Sequence, residues 1–134
     1  MSTGVPARPR ILLIDDERDL LEVLAAEMEE AGYDVTCVGS GAEALECART
    51  QQFDLILTDF KMPGMDGLQT VAALAEQNPA LHAILMTGFI SDEMRYALKQ
   101  RCYPCLEKPF RLEDLLQTLA GELRMPAPNR HSPH

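Results

Sequence analysis

Residues 11–17 read Ile11-Leu12-Leu13-Ile14-Asp15-Asp16-Glu17, an aliphatic run that ends in three consecutive acids. Because the apolar residues are consecutive rather than alternating, the run is typical of a strand covered on both faces of a parallel sheet. Residues 53–58 and 83–87 have the same character, and residues 33–38 and 103–106 are two further short apolar runs. The sequence therefore predicts five strands.

Helical segments separate these runs, because their apolar residues recur at a spacing of three or four. Ser40 followed by Glu43 predicts a capping box, and Ser91 marks another helix start. Gly32 is placed to terminate the first helix. The clearest apolar stripes are Leu20, Leu21, Leu24 and Met28; Leu68, Val71, Leu74 and Ala75; and Leu112, Leu115, Leu116 and Leu119.

Alternation of strand and helix predicts an α/β fold, a (βα)5 doubly wound parallel sheet of the flavodoxin-like type. Right-handed crossovers place helices on both faces of such a sheet. The common order for five strands is 2-1-3-4-5, whose topological switch point lies between the first and third strands. Ligands bind beyond the carboxyl ends of the strands, so functional residues are expected there.

Length and composition indicate one globular domain. The chain has 134 residues, of which 46% are hydrophobic and 25% charged. The folded unit is predicted at residues 10–124, preceded by a flexible N-terminus at residues 1–9. Residues 125–134 contain Pro126, Pro128 and Pro133 without an apolar period, so we expect a tail or the start of a linker.

The charge balance restricts the partners. A formal net charge of −9 repels phosphate backbones and anionic lipid, so direct binding of nucleic acid or membrane by this domain is not expected. The longest aliphatic run, Ile11 to Ile14, is too short for a membrane span, and a cytoplasmic protein is predicted. Without an export signal, the four cysteines are expected to be free thiols.

Charged and hydroxyl residues stand at the predicted carboxyl ends of the strands. Asp15 and Asp16 follow the first strand, Asp59 the third, Thr87 the fourth and Lys108 the fifth. Crowded carboxylates require a positive partner, and carboxylate oxygens suit a hard cation such as Mg²⁺. A carboxylate nucleophile with Mg²⁺, a lysine and a hydroxyl can accept a phosphoryl group. The residues therefore predict a Mg²⁺-dependent aspartyl-phosphate site.

At this point the sequence resembles the receiver domains of bacterial two-component response regulators, the chemotaxis-regulator-like family. The resemblance covers Arg10 to about Leu123 and depends on four separate motifs that agree in order and spacing. These motifs are Ile14-Asp15-Asp16-Glu17, Asp59-Phe60-Lys61-Met62-Pro63-Gly64-Met65-Asp66-Gly67, Met86-Thr87-Gly88 and Glu107-Lys108-Pro109-Phe110.

The resemblance implies a role for each strand-end residue. Asp59 would be the phosphoacceptor, and Mg²⁺ would be held by Asp15, Asp16, Asp59 and the backbone carbonyl of Lys61. Thr87 would be the switch hydroxyl. Each assignment is carried by a residue that matches the family's motif.

Lys108 would pair with the phosphoryl oxygens, and the peptide bond to Pro109 would be cis.

The resemblance also implies the partners. The phosphoryl donor would be the phosphohistidine of a sensor histidine kinase or phosphotransfer protein. The surface of the fourth helix, fifth strand and fifth helix would contact an unknown downstream protein or form a homodimer. An effector domain following residue 125 in a longer protein is an open alternative.

Several positions depart from the family pattern. Cys105 stands where an aromatic switch residue is usual, and Tyr103, predicted on the same face of the strand, is a candidate substitute. Phe89 and Lys61 lie two residues after Thr87 and Asp59, at positions that modulate hydrolysis of the acyl phosphate in this family. We expect both side chains to slow it.

Other functions remain open at this stage. Cys105 favours a constitutive binding module that is independent of phosphorylation. A Mg²⁺-dependent phosphatase would require an acid where Lys61 stands, and flavin binding would place a phosphate against Asp15 and Asp16. Cys102 and Cys105 have the spacing of a redox pair, but residues three apart in a strand point to opposite faces.

Overall fold

The computed structural model describes residues 8–101 and 103–124, and the predictions for residues 1–7, Cys102 and residues 125–134 lie outside this range. The chain alternates strand and helix throughout: β1 (Arg10–Ile14), α1 (Arg18–Glu30), β2 (Asp34–Val38), α2 (Gly41–Ala48), β3 (Leu55–Asp59), α3 (Gly67–Gln77), β4 (His82–Thr87), α4 (Asp92–Arg101), β5 (Cys105–Glu107) and α5 (Leu112–Arg124). The strands form one parallel sheet in the order β2-β1-β3-β4-β5. The predicted fold class and strand order are confirmed.

Helices cover both faces of the sheet, as the consecutive apolar runs predict. Ile11 and Leu13 of β1 point to a core cluster that contains the buried residues of α1 and α5. Leu12 and Ile14 point to a second cluster, which includes buried residues of α2, α3 and α4. All four side chains are fully buried, so both faces of the central strand contribute to the hydrophobic stabilisation of the fold.

The last strand differs from its prediction. β5 begins at Cys105, two residues later than expected, and Tyr103 lies before the strand instead of within it. The amide of Tyr103 donates to the carbonyl of Leu98 at the end of α4, and Pro104 has no amide hydrogen for a ladder bond. Among the described residues β5 is an edge strand that pairs only with β4, from Leu85 to Thr87, and this short register limits its length.

The predicted helix signals are present, with one correction. Ser40 accepts a hydrogen bond from the amide of Glu43 at 3.1 Å, but the Glu43 carboxylate accepts from the amide of Gly39 and not from Ser40. The Glu43 half of the predicted capping box therefore reaches one residue further back. Ser91 caps α4 through the amide of Met94 at 3.1 Å, and Gly32 follows α1 with a φ of 110°.

A complete capping box that the sequence analysis missed begins α3. Asp66 accepts from the amide of Gln69 at 2.8 Å, and the Gln69 side chain accepts from the amide of Asp66 at 2.9 Å. Both bonds satisfy amides that the first turn of a helix leaves without partners. The box fixes the start of α3, at the end of the loop that follows β3 and the predicted phosphoacceptor.

Within the part of the chain that the structure describes, no helix combines the length and apolarity needed to cross a bilayer.

Candidate functional site

Three carboxylates gather at the carboxyl edge of the sheet. Asp15 follows β1 and Asp59 ends β3, and these strands are neighbours that pair up to Ile14 and Thr58. One carboxylate oxygen from each of Asp15, Asp16 and Asp59 lies within 4.8 Å of the others. The strand order therefore produces the acidic cluster that the sequence predicts at the topological switch point.

Lys108 enters the same cluster from the end of β5. Its Nζ lies 3.0 Å from Oδ2 of Asp15 and 3.3 Å from Oδ1 of Asp59. The Lys108 amide donates to the carbonyl of Thr87 at 2.7 Å, which ties the lysine backbone to the end of β4. The peptide bond between Lys108 and Pro109 is cis, as the resemblance implies. One ammonium thus bridges two buried carboxylates from different strands.

The electrostatics of the cluster show an excess of negative charge. Burial raises the pKa of Asp59, and the charges of Asp15 and Asp16 raise it further, whereas Lys108 lowers it only in part. For Lys108, burial alone would lower the pKa, but hydrogen bonds and charges from Asp15 and Asp59 outweigh it and the pKa is raised. One ammonium therefore does not neutralise the carboxylates, and a second cation would stabilise their ionised forms.

A magnesium ion fits the donor set. The cluster offers carboxylate oxygens, which are the ligands that hard divalent cations prefer. Asp15 is fully buried and Asp59 is 8% exposed, whereas Asp16 lies in contact with solvent. An ion held here would keep open positions for water and for a phosphate oxygen, as Mg²⁺ requires in phosphoryl-transfer sites.

Thr87 lies at the end of β4 with its hydroxyl bonded to its own loop. Its Oγ1 donates to the carbonyl of Phe89 at 3.0 Å and accepts from the Phe89 amide at 3.3 Å. The Thr87 side chain is buried, and its strand neighbour Met86 pairs with Asp59. The structure thus brings Thr87 to the correct edge, but its hydroxyl is engaged by residue 89. Phe89 itself is 71% exposed.

Cys105 and Tyr103 lie on the same side of the sheet although only Cys105 is in a strand. Tyr103 is buried in the core cluster that includes Leu98, and Cys105 packs against that cluster. Burial, with a smaller effect of the Glu107 charge, raises the pKa of Cys105 to about 11. The thiol is therefore protonated at neutral pH, which disfavours the redox alternative because thiolates are the reactive species.

Two residues near the site had no role in the sequence analysis. Glu17 places a carboxylate oxygen 3.8 Å from the ammonium of Lys108. Gly67 begins α3 against the main chain of Asp59, where a side chain would have no room. Both stand inside the quoted motifs, but sequence spacing determines neither the contact between the Glu17 and lysine side chains nor the close approach of Gly67 to the backbone of Asp59.

The chain is similar in sequence to known response regulator receiver proteins. The profile described as Response regulator receiver domain matches residues 11–120. Response regulator receiver protein CpdR of Brucella abortus is 37% identical over 111 residues, which cover 82% of this chain and 92% of that protein. Transcriptional regulatory protein ZraR of Escherichia coli is 38% identical over 114 residues, 84% of this chain, but the chain spans only 26% of that relative's length.

A solved structure that shares the fold contains a ligand pertinent to this site. Response regulator protein TrrA from Thermotoga maritima, in complex with Mg(2+)-BeF, has a TM-score of 0.75 at 28% identity, covering 84% of this chain and 97% of that chain. The matched profile spans most of the chain, and the acidic cluster lies where the fold predicts a ligand. The chain belongs to the response regulator receiver domain family of two-component systems, in which phosphorylation and Mg²⁺ dependence are general properties.

Proposed function

We propose that this chain accepts a phosphoryl group on Asp59 from the phosphohistidine of a sensor histidine kinase or a phosphotransfer protein, in a Mg²⁺-dependent reaction. The observation that carries the proposal is the group of three carboxylates within 4.8 Å beside the Lys108 ammonium. Receiver domains are phosphoacceptor switches rather than conventional enzymes, and we propose the same for this chain, acting in the cytoplasm.

Each site residue receives a specific task in this proposal. Asp15, Asp16 and Asp59, with the carbonyl of Lys61, would hold Mg²⁺, which supplies positive charge to the transferring phosphoryl group. An Asp59 carboxylate oxygen attacks phosphorus, and the donor nitrogen leaves with the electron pair of its bond to phosphorus. Lys108 lies 3.3 Å from the attacking carboxylate and can donate to a phosphoryl oxygen.

A groove beside Lys108 supports a protein as the phosphoryl donor. Its lining joins the exposed side of α1 to the loop after β5, and Val23 within it is 59% exposed. An apolar surface adjacent to the reacting atoms can position a donor protein without contributing to the chemistry. The apolar residues of this groove are Leu20, Val23, Leu24, Pro109, Phe110 and Leu112.

The output would be a change of protein interaction. Phosphorylation would draw Thr87 towards the phosphoryl group and alter the surface of α4, β5 and α5, where a downstream protein, an effector domain or a second copy could bind. We propose residues 10–124 as the receiver domain and residues 125–134 as a tail or linker. With a net charge of −9, the domain would not bind nucleic acid itself.

The test of the proposal is covalent. Incubation with acetyl phosphate and Mg²⁺ should add one phosphoryl group, read by intact mass, and chelation of Mg²⁺ should prevent it. Asp59→Asn should remove the adduct, because an amide is not a nucleophile of this kind. An adduct on both proteins would show that the acceptor is a residue other than Asp59. The absence of any adduct on the wild type would contradict the proposal.

Phe89 and Lys61 are proposed to slow loss of the phosphoryl group. Phe89 is 71% exposed beside the site and can obstruct the approach of water. In Phe89→Ala we expect the half-life of the phosphorylated protein to shorten a few-fold, measured by mass after removal of the donor. Tyr96→Ala, a change at a similarly exposed aromatic residue of α4, is the control. An unchanged or longer half-life in Phe89→Ala would remove its part of the proposal.

Cys105 supports a second candidate, a constitutive binding module. Its side chain is smaller than the aromatic residue usual at this position, so a rotating ring cannot report phosphorylation there. Equal partner binding by the wild type and Asp59→Asn, with and without acetyl phosphate, would favour the constitutive module. Binding that depends on the donor only in the wild type would exclude it.

A further inference from the structure

Glu17 joins the site at its solvent side without belonging to the acidic cluster. Its carboxylate oxygen is 3.8 Å from Nζ of Lys108, and its side chain is 69% exposed. Its backbone amide donates to Oδ1 of Asp15 at 2.9 Å, which holds the residue at the end of β1. The backbone of Glu17 is therefore anchored to the buried site, while its charge stands at the entrance.

With Glu17 included, the acids of the site carry more negative charge than Lys108 and a divalent cation would carry positive charge. Two of the three cluster carboxylates, those of Asp15 and Asp59, already pair with the Lys108 ammonium, and Glu17 adds a fourth acid to the site beside the same lysine. A divalent cation with Lys108 would compensate three of these four charges, so one remains. An exposed pair contributes little to stability, but its charge still acts within the Debye length of about 10 Å at 0.1 M salt.

We infer that Glu17 determines specificity among phosphoryl donors, disfavouring dianionic donors relative to donors whose leaving atom is a protonated nitrogen. The inference rests on the proposed function. Because Asp59 is buried, a donor must approach from the solvent side, and in-line transfer directs its leaving group back to that side. Glu17 lies there, where it repels an anionic leaving group and attracts a nitrogen that is still protonated in the donor.

Two small donors separate these cases. At neutral pH acetyl phosphate is a dianion, whereas phosphoramidate is a zwitterion with a protonated nitrogen and a single net negative charge. In both reactions an oxygen of Asp59 forms a bond to phosphorus. Acetate leaves with the electron pair of the P–O bond in the first. Ammonia leaves with that of the P–N bond in the second, its protons already in place.

The experiment compares rate constants for phosphorylation of Asp59 by each donor at saturating Mg²⁺, by intact mass, at low and high ionic strength. The variants are Glu17→Gln, Glu17→Asp and Glu30→Gln. Glu30 is the last residue of α1, about 20 Å along the helix, so its substitution removes the same net charge far from the site. Glu17→Asp keeps the charge and shortens the side chain.

We expect Glu17→Gln to raise the ratio of the acetyl phosphate rate to the phosphoramidate rate roughly threefold or more at low salt, and less at high salt. Glu17→Asp and Glu30→Gln should keep the wild-type ratio. An equal gain with both donors, or a similar change in Glu30→Gln, would overturn the inference while leaving phosphorylation of Asp59 intact. If the wild type accepts phosphate from neither donor, the proposed function fails instead.

Discussion

The substitution Gly67→Ala is expected to lower the free energy of unfolding by about 3 kcal/mol, the upper end of the usual cost of overpacking. A Cβ at this position would lie 2.9 Å from the Cα of Phe60 and 3.1 Å from the carbonyl carbon of Asp59, with the Asp59 oxygen closer still. These are backbone atoms that cannot rotate away. The start of α3 would have to shift from β3, and the Asp59 carboxylate would move with it.

Chemical denaturation measures this cost, and Gly121→Ala provides the control. Gly121 lies within α5, and an added Cβ would meet no atom within 4 Å beyond its chain neighbours and its own helix backbone, so its replacement should be neutral or should stabilise by about 0.5–1 kcal/mol. Neither glycine has a positive φ, so the comparison isolates space from backbone conformation. Equal stability of Gly67→Ala and the wild type would show that α3 does not need this close approach.

The substitution Asp59→Asn is expected to stabilise the metal-free protein at neutral pH by on the order of 1 kcal/mol. The reason is the raised pKa of Asp59, which burial and the charges of Asp15 and Asp16 cause in spite of Lys108. An ionised Asp59 therefore destabilises the fold when no metal is bound. The amide keeps the shape of the side chain but carries no charge.

The pH dependence has a definite sign. An acid whose pKa is raised on folding binds its proton more tightly in the folded state, so its stabilising contribution is complete below the unfolded pKa, about 3.9 for Asp. That contribution is lost as the pH rises through the higher folded pKa. The advantage of Asp59→Asn should thus be absent below about pH 4 and grow towards neutrality.

Denaturant titrations at several pH values, with chelator and with Mg²⁺, test this prediction. Mg²⁺ should stabilise the wild type by mass action and the variant less, because the variant lacks one carboxylate. Asp19→Asn, at an exposed position in the first turn of α1, controls for the change in net charge. A wild type that is more stable than Asp59→Asn in chelator at neutral pH would contradict the prediction.

The part of the fold that was predictable from the sequence is the central strands and the order of the sheet. β1, β3 and β4 are buried on both faces, so their apolar runs stand out, and strict alternation restricts the order of the sheet. β5 was placed less well, because it is an edge strand of three residues preceded by Pro104. Tyr103 is buried in the core without being in a strand, and apolar periodicity does not separate these cases.

The candidate site likewise contains some contacts that the sequence predicts and others that it does not determine. Parallel strands made the approach of Asp15, Asp59 and Lys108 predictable, because the edge they share follows from topology. The contact of Glu17 with Lys108 depends on side-chain rotamers, which spacing does not determine. The room around Gly67 depends on the separation of α3 from β3, a packing distance that one sequence does not reveal.

The bond from Thr87 to the carbonyl of Phe89 makes two states of the β4–α4 loop mutually exclusive. A hydroxyl carries a single hydrogen, so an anion that receives it from Thr87 takes it away from Phe89. The Thr87 hydroxyl therefore cannot donate to the Phe89 carbonyl and to an anion at Asp59 at the same time. Donation of that hydrogen to an anion would therefore leave the backbone of Phe89 joined to Thr87 only through its own amide, by the longer of the two bonds.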